Sequence, residues 1–170
     1  MLDVSRHLTE TLFILMLSNL VKDITRIDVD DIRSDWQWLL DNQKQVILVS
    51  AIGDMFLLGN DDSVYWLETG TGDLTCVAEN FDEFQRFLVQ EEIADNWFLP
   101  ELINQLVAKG IILKENQVYS FKTPPILGGD YSLDNFEATD ISVHFSITGQ
   151  IIKQIWDARD GTKINDVSVK

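Results

Sequence analysis

Three features of the sequence predict an α+β fold, in which an antiparallel β-meander carries helices mainly on one face and follows a helical N-terminal extension. Between residues 45 and 79 four short β-prone runs alternate with hairpin-type turns. On both sides of them apolar residues recur at helical spacing. The chain has 170 residues, 45% of them hydrophobic, which supplies one good core and marks a globular protein. One compact unit is expected, with residues 1–44 as the helical extension and 45–170 as the α+β domain.

Residues 3–22 place Leu8, Leu12, Leu15 and Leu20 at helical spacing, which predicts an amphipathic helix. Its apolar run from Leu12 to Leu17 is too short to span a bilayer. Acidic residues precede that run and no small-residue cleavage site follows, so a buried helix face is expected there. Asp30 and Asp31 open a second helix, DDIRSDWQWLLDN, with Ile32, Trp36, Leu39 and Leu40 as its stripe.

From Gln45 the period becomes that of strands, in QVILVSA, DMFLLG, SVYWLET and DLTCVAE. The connectors Ile52-Gly-Asp54, Gly59-Asn-Asp-Asp62 and Thr69-Gly-Thr-Gly-Asp73 suit hairpins and are too short for parallel crossovers. Asn80 and Glu83 form a capping box ahead of a helix whose apolar face is Phe81, Phe84, Phe87 and Leu88. A further helix runs from about Leu99 to Lys109, with Pro100 in its first turn and Gly110 at its end.

IILK and VYSF flank Glu115-Asn-Gln117 as a second hairpin, and FKTPPILGGDY then crosses to the last element. In that element Ile141, Val143, Phe145 and Ile147 alternate like a strand, whereas Ile141, Phe145, Thr148, Ile152 and Ile155 continue a helical stripe. Its length and a capping Asp140 favour a helix.

Asp and Glu outnumber Lys and Arg by 28 to 13, a net charge of −15. Such a charge opposes direct contact with a phosphate backbone and would steer and hold a basic partner. It also serves plain solubility. The lone Cys76 cannot staple the fold, which suits a reducing cytoplasm, and its strand position beside no His or Lys predicts a buried, inert thiol.

No catalytic, cofactor or metal site is expected. His7 and His144 are the two histidines. Asp134, Ser142 and Ser146 lie near His144 in sequence, but no Gly-x-Ser-x-Gly elbow accompanies them, so a packing role is expected for His144. Asp28-Val-Asp-Asp31 lacks the spacing of a calcium loop, and Asp61-Asp62 belongs to a turn. One Cys and two distant His supply no zinc site. Thr69-Gly-Thr-Gly-Asp73 has no following Lys and opens no helix, so it is a turn and not a phosphate cradle.

Candidate partner-binding residues are Trp38, which lies off its helix stripe, and Trp97, placed to pack beneath the Pro-Pro…Gly-Gly loop. The loop itself adds Pro124, Pro125, Gly128, Gly129, Asp130 and Tyr131. Its prolines stiffen the backbone and its glycines permit positive φ. That geometry either serves the fold alone or presents Asp130 and Tyr131 to a partner.

The phrases IGDMFLLGNDDSVYWLETGTGDLTCVAENFDEF, WFLPELINQLVAKG, YSFKTPPILGGDYSLDNFEATDISVHFSITGQI and DGTKI, taken together, resemble one bacterial family over roughly residues 45 to 165. That family is the C-terminal domain of type VI secretion DNase-immunity proteins. The strongest carriers are Gly53-Asp54, the run from Tyr65 to Gly72, Trp97-Phe-Leu-Pro100 and the loop from Pro124 to Gly129. The resemblance implies a non-enzymatic, cytoplasmic protein that binds and neutralises a cognate nuclease toxin. The expected partner is a basic toxin, without direct nucleic-acid or membrane binding, and the expected state is a monomer or weak homodimer. Members often carry a GAD-like domain ahead of this region, whereas about forty residues precede it here. The alternative expectation is a small-ligand or regulatory binding module on the same fold.

Overall fold

The computed structural model describes residues 19–41, 44–158 and 169. The strand-forming runs make one antiparallel sheet in sequence order, with β1 at Val21–Lys22, β2 at Gln45–Ser50, β3 at Met55–Leu58, β4 at Val64–Glu68 and β5 at Asp73–Ala78. In register, Phe56 faces Trp66, and Trp66 faces Thr75. The expected α+β class and meander are present.

Helices are α1 (Val29–Ser34), α2 (Phe81–Leu88), α3 (Glu91–Phe98), α4 (Pro100–Ala108) and α5 (Ile141–Asp157). They cover both faces of the sheet rather than mainly one. The reason lies in β3, whose Met55, Phe56 and Leu57 are all fully buried, so neither face is left polar. Met55 and Leu57 join Ile32, Trp36, Phe145 and Ile152, which seats α1 and α5 on one face. Phe56 points the other way, into Phe84, Leu88, Trp97 and Phe98 of α2 and α3. A third cluster, with Ile52, Ile103, Leu106, Tyr119 and Phe136, holds α4 at the end of the sheet.

Two strands complete the fold, β6 (Gln117–Phe121) and β7 (Phe136–Asp140), paired antiparallel with Phe121 opposite Phe136. This corrects the expected second hairpin. Residues 111–114 form no strand, and the Tyr119 hydroxyl donates to the Ile111 carbonyl instead (2.9 Å). The true partner, Phe-Glu-Ala-Thr-Asp, is poor in β-formers, so its pairing comes from tertiary context and not propensity. The Pro-Pro…Gly-Gly loop therefore joins β6 to β7, not to the last helix. That helix is present as expected: Asp140 accepts from the Ser142 backbone N–H (3.1 Å) and caps α5.

Other expectations shift at element ends. Residues 3–18 of the predicted first helix, with Leu12–Leu17 and His7, lie outside the described residues, as does DGTKI. The remainder, Val21 and Lys22, is strand, because its backbone pairs with Ser50 and Val49 at the sheet edge. α1 carries Asp30 and Asp31 in its first turn as expected, with Asp28 as its cap, accepting from the Asp31 N–H at 3.1 Å, and turns replace helix after Ser34. α3 was not foreseen. It ends at Leu99 in the left-handed region (φ 48°), since Pro100 cannot continue the preceding helix and starts α4. Cys76 is exposed, contrary to expectation, because β5 is an edge strand.

α1 and α5 are tied closely. The Trp36 indole donates to the Phe145 carbonyl (3.0 Å), and Asp35 accepts from Ser146 (2.6 Å) and Gln150 (3.3 Å). Gly149 makes this possible, since a Cβ there would sit 2.7 Å from the Asp35 carbonyl oxygen.

Phe56 contacts Phe84 and Trp97 at ring distances of 5.3 Å each, and Phe98 at 5.7 Å. Truncation by Phe56→Ala is expected to cost about 3–5 kcal/mol in urea unfolding. Phe81→Ala, at a largely exposed ring, is expected to change stability by less than about 1 kcal/mol.

Candidate functional site

Several residues of the sequence motifs meet where the β2–β3 turn, the end of β4 and strand β6 pack against α5. His144 is 1% exposed. Its Nε2 lies 2.9 Å from the Gly53 carbonyl oxygen and its Nδ1 lies 2.8 Å from the Ser120 hydroxyl. A carbonyl oxygen only accepts, so Nε2 carries the proton and Nδ1 accepts from Ser120. Burial pushes the imidazole down to about 4, against the opposing pull of the Gly53 bond, so the ring is neutral. Gly53 has φ 84° and stands against the ring face, where a Cβ would fall inside the imidazole.

Asp54 follows directly. One carboxylate oxygen accepts from the Thr69 backbone N–H (2.9 Å) and hydroxyl (3.2 Å), and the other accepts from the Trp66 indole (3.3 Å). Burial, with the Glu68 charge adding to it, raises Asp54 to about 7 despite these bonds. Glu68 is itself raised, by burial and then by Asp73. Beside Asp54 lies a slot of ≈ 10 Å³, lined by Ile52, Glu68, Gly70, Leu99 and Tyr131 among others. That is room for a single water.

Phe121 and Tyr131, at the two ends of the Pro-Pro…Gly-Gly loop, line this slot. Pro124 is buried, Pro125–Leu127 form one 3₁₀ turn, and Gly128 ends it at φ 88°. The Ile126 N–H donates to the Gly70 carbonyl at 3.3 Å. Gly129 has no room for a side chain, because a Cβ would collide with the Thr123 carbonyl oxygen. Asn135 clasps the loop, its amide donating to the Thr123 (2.9 Å) and Asp130 (2.7 Å) carbonyls while its oxygen accepts from the Thr123 N–H (2.9 Å). Asp130 is exposed and accepts from the Ser132 hydroxyl, which holds its carboxyl below the usual range. Tyr131 is 51% exposed and packs edge-on against Phe121 (5.1 Å); burial and the nearby Asp54 and Glu68 charges raise its hydroxyl.

The two tryptophans part company. Trp38 is half-buried, between Trp36 (6.2 Å) and the exposed Trp156 (5.9 Å), with the Lys153 ammonium over its ring. Trp97 is 5% exposed and sits among Phe56, Trp66 and Phe84, not beneath the loop. Neighbours of His144 in sequence do not assemble with it. Ser142 donates to Asp140 (2.9 Å), Ser146 donates to Asp35, and Asp134 pairs with Lys109. Among the described residues no group of His, Cys, Asp or Glu is placed to hold a metal ion. The contacts of Ser120 and Thr69 with His144 span 24 and 75 positions, and the Asn135–Thr123 bonds span 12, so no local spacing reports them.

The two buried groups oppose each other in pH dependence. Folded Asp54 binds its proton up to about pH 7, whereas unfolded Asp releases it near 3.8, so its contribution falls as pH rises between those values. Folded His144 stays unprotonated to about 4 while the unfolded chain protonates below 6.5, so its contribution rises with pH across that window. Asp54→Asn is therefore expected to gain on wild type as pH rises from about 4 to about 7, by at most about 1.4 kcal/mol per pH unit, and to level off above. Urea unfolding of both proteins across that pH range is the check.

Comparison with known proteins adds three findings. No curated protein gives a significant match. The crystal structure of Atu4351 from Agrobacterium tumefaciens is similar at 21% identity and a TM-score of 0.48, over 73% of this chain and 65% of that one. The chain thus spans about two thirds of the length of that protein. Residues 78–152, from the end of β5 into α5, match the family described as T6SS immunity protein Tdi1, C-terminal, which is the family that the sequence motifs resemble.

Proposed function

We propose that the chain is a type VI secretion immunity protein that binds and neutralises a cognate nuclease toxin in the cytoplasm by protein–protein contact. The match of residues 78–152 to a T6SS immunity family carries this reading. The net charge of −15 supports the nuclease as target. A nuclease must hold a phosphate backbone, so its substrate cleft is basic. An acidic protein is drawn to that cleft and, once seated, keeps nucleic acid out of it. The same charge disfavours nucleic-acid binding by the chain itself and favours a monomer or weak homodimer.

Binding rather than catalysis is supported by His144, whose two nitrogens are both engaged and whose ring is walled off from solvent. The slot beside Asp54, at ≈ 10 Å³, is too small for a metabolite, so the motif-rich end of the sheet offers no small-ligand site there. Trp38, Asp130 and Tyr131 are surface candidates for that contact, and Pro124, Pro125, Gly128 and Gly129 set the loop that carries two of them. Among the described residues no helix is long and apolar enough to cross a membrane.

Affinity capture from the source cells, followed by titration of the captured nuclease, tests the reading. DNA cleavage is expected to fall to zero near a one-to-one ratio, and the complex to weaken by at least about tenfold between low and high salt. A nuclease that cleaves unaffected by excess protein contradicts immunity. Full protection by a charge-reversed variant removes the electrostatic part alone.

A further inference from the structure

We infer that the outer edge of β5, with the apolar groove beside it, docks an extended basic segment of a protein partner as an added strand; this deepens the immunity reading and rests on it. Two independent features meet there. β5 is six residues long and forms one edge of the sheet, and among the described residues no strand pairs with its outer side. The other edge, β1, has two residues. An unpaired edge is usually blunted with Lys, Pro or a bulge; Asp73–Ala78 contains neither Lys nor Pro, and its one register shift, which leaves Val77 as the extra residue, lies near its C-terminal end, so Asp73–Cys76 stay in regular register. Thr75 and Cys76 are exposed on it.

The second feature is a groove of ≈ 530 Å³ that β5 helps to form. Val77, Phe87, Ile93 and Trp97 line it, with Glu92 and Asn96 at its polar part. Val77 points to the same face as α2 and α3, so the side chains of an added strand on that face would enter the groove, alternate residues pointing away. Trp97, though 5% exposed, supplies part of this lining.

Charge selects the occupant. Residues 73–96 hold seven carboxylates, at Asp73, Glu79, Asp82, Glu83, Glu91, Glu92 and Asp95, against the single Arg86. A second copy of this edge would bring like charge against like. A strand with apolar residues facing the groove and Lys or Arg between them meets both the lining and the rim.

The test is amide hydrogen exchange on the intact protein with a short peptide of alternating Lys and Val, beside a counterpart N-methylated at alternate residues and equal in charge. The unmodified peptide is expected to slow exchange across 73–78 by at least about tenfold. The methylated peptide, which cannot complete a ladder, is expected to leave it unchanged. Ile93→Asp and, on the exposed rim, Glu92→Lys are each expected to reduce the protection. Protection that is absent, diffuse over the acidic surface, or equal for both peptides overturns the proposal. The same exchange on a complex with the captured nuclease separates the two readings. An inhibited nuclease that leaves 73–78 unprotected overturns the edge and spares immunity. A nuclease that does not bind, with peptide protection intact, overturns immunity alone.

Discussion

A neutral imidazole holds the β2–β3 turn, the end of β4 and strand β6 to α5. His144 donates to the Gly53 carbonyl, accepts from Ser120 on β6, and lies 3.1 Å from the Thr69 hydroxyl at the end of β4. Each of these groups is buried, and each would cost about 1–3 kcal/mol if left unbonded. Because Gly53 lacks a Cβ, the β2–β3 turn can approach the ring; because Asp54 follows it, the same turn also binds Thr69 and Trp66. The five-stranded sheet, the β6–β7 pair and α5 are thereby fixed to one another through polar contacts inside an apolar core.

Much of the sheet and two of the caps were legible because their signals are local. Hairpin turns of two to five residues fix antiparallel neighbours, and Asn80 caps α2 through the Glu83 N–H (2.9 Å), as the capping box predicts. What escaped depends on distant partners. β7 is a strand only because β6 lies beside it, and β1 only because β2 does. The covering of both sheet faces is visible in Met-Phe-Leu-Leu as an unbroken apolar run, but the alternation rule passes over it. Cys76 was misplaced for the converse reason: a β-prone residue says nothing about whether its strand is central or at an edge.

Most of the motifs that carry the family resemblance lie away from the β5 edge, and Trp97 is common to the motifs and the groove beside that edge. Asp54 and Gly70 line the slot, and beside them Gly53 and Gly129 stand where a side chain would collide with its neighbours, so only particular residues fit. Their chemistry is spent on holding the fold. The meaning of the β5 edge and its acidic rim comes from topology and charge, neither of which short-range spacing reports. The Pro-Pro…Gly-Gly loop follows the same pattern. Its prolines and glycines close a clasp completed by Asn135, and Asp130 and Tyr131 are what that clasp leaves at the surface.

The most direct test of this account is ¹⁵N NMR of the His144 side chain across pH. The structure predicts an Nε2-protonated neutral ring that resists titration until about pH 4 and then charges as the fold loosens. A ring titrating near 6.5, or a proton on Nδ1, would mean that His144 does not bridge Gly53 and Ser120, and the arrangement built on that bridge would have to be abandoned.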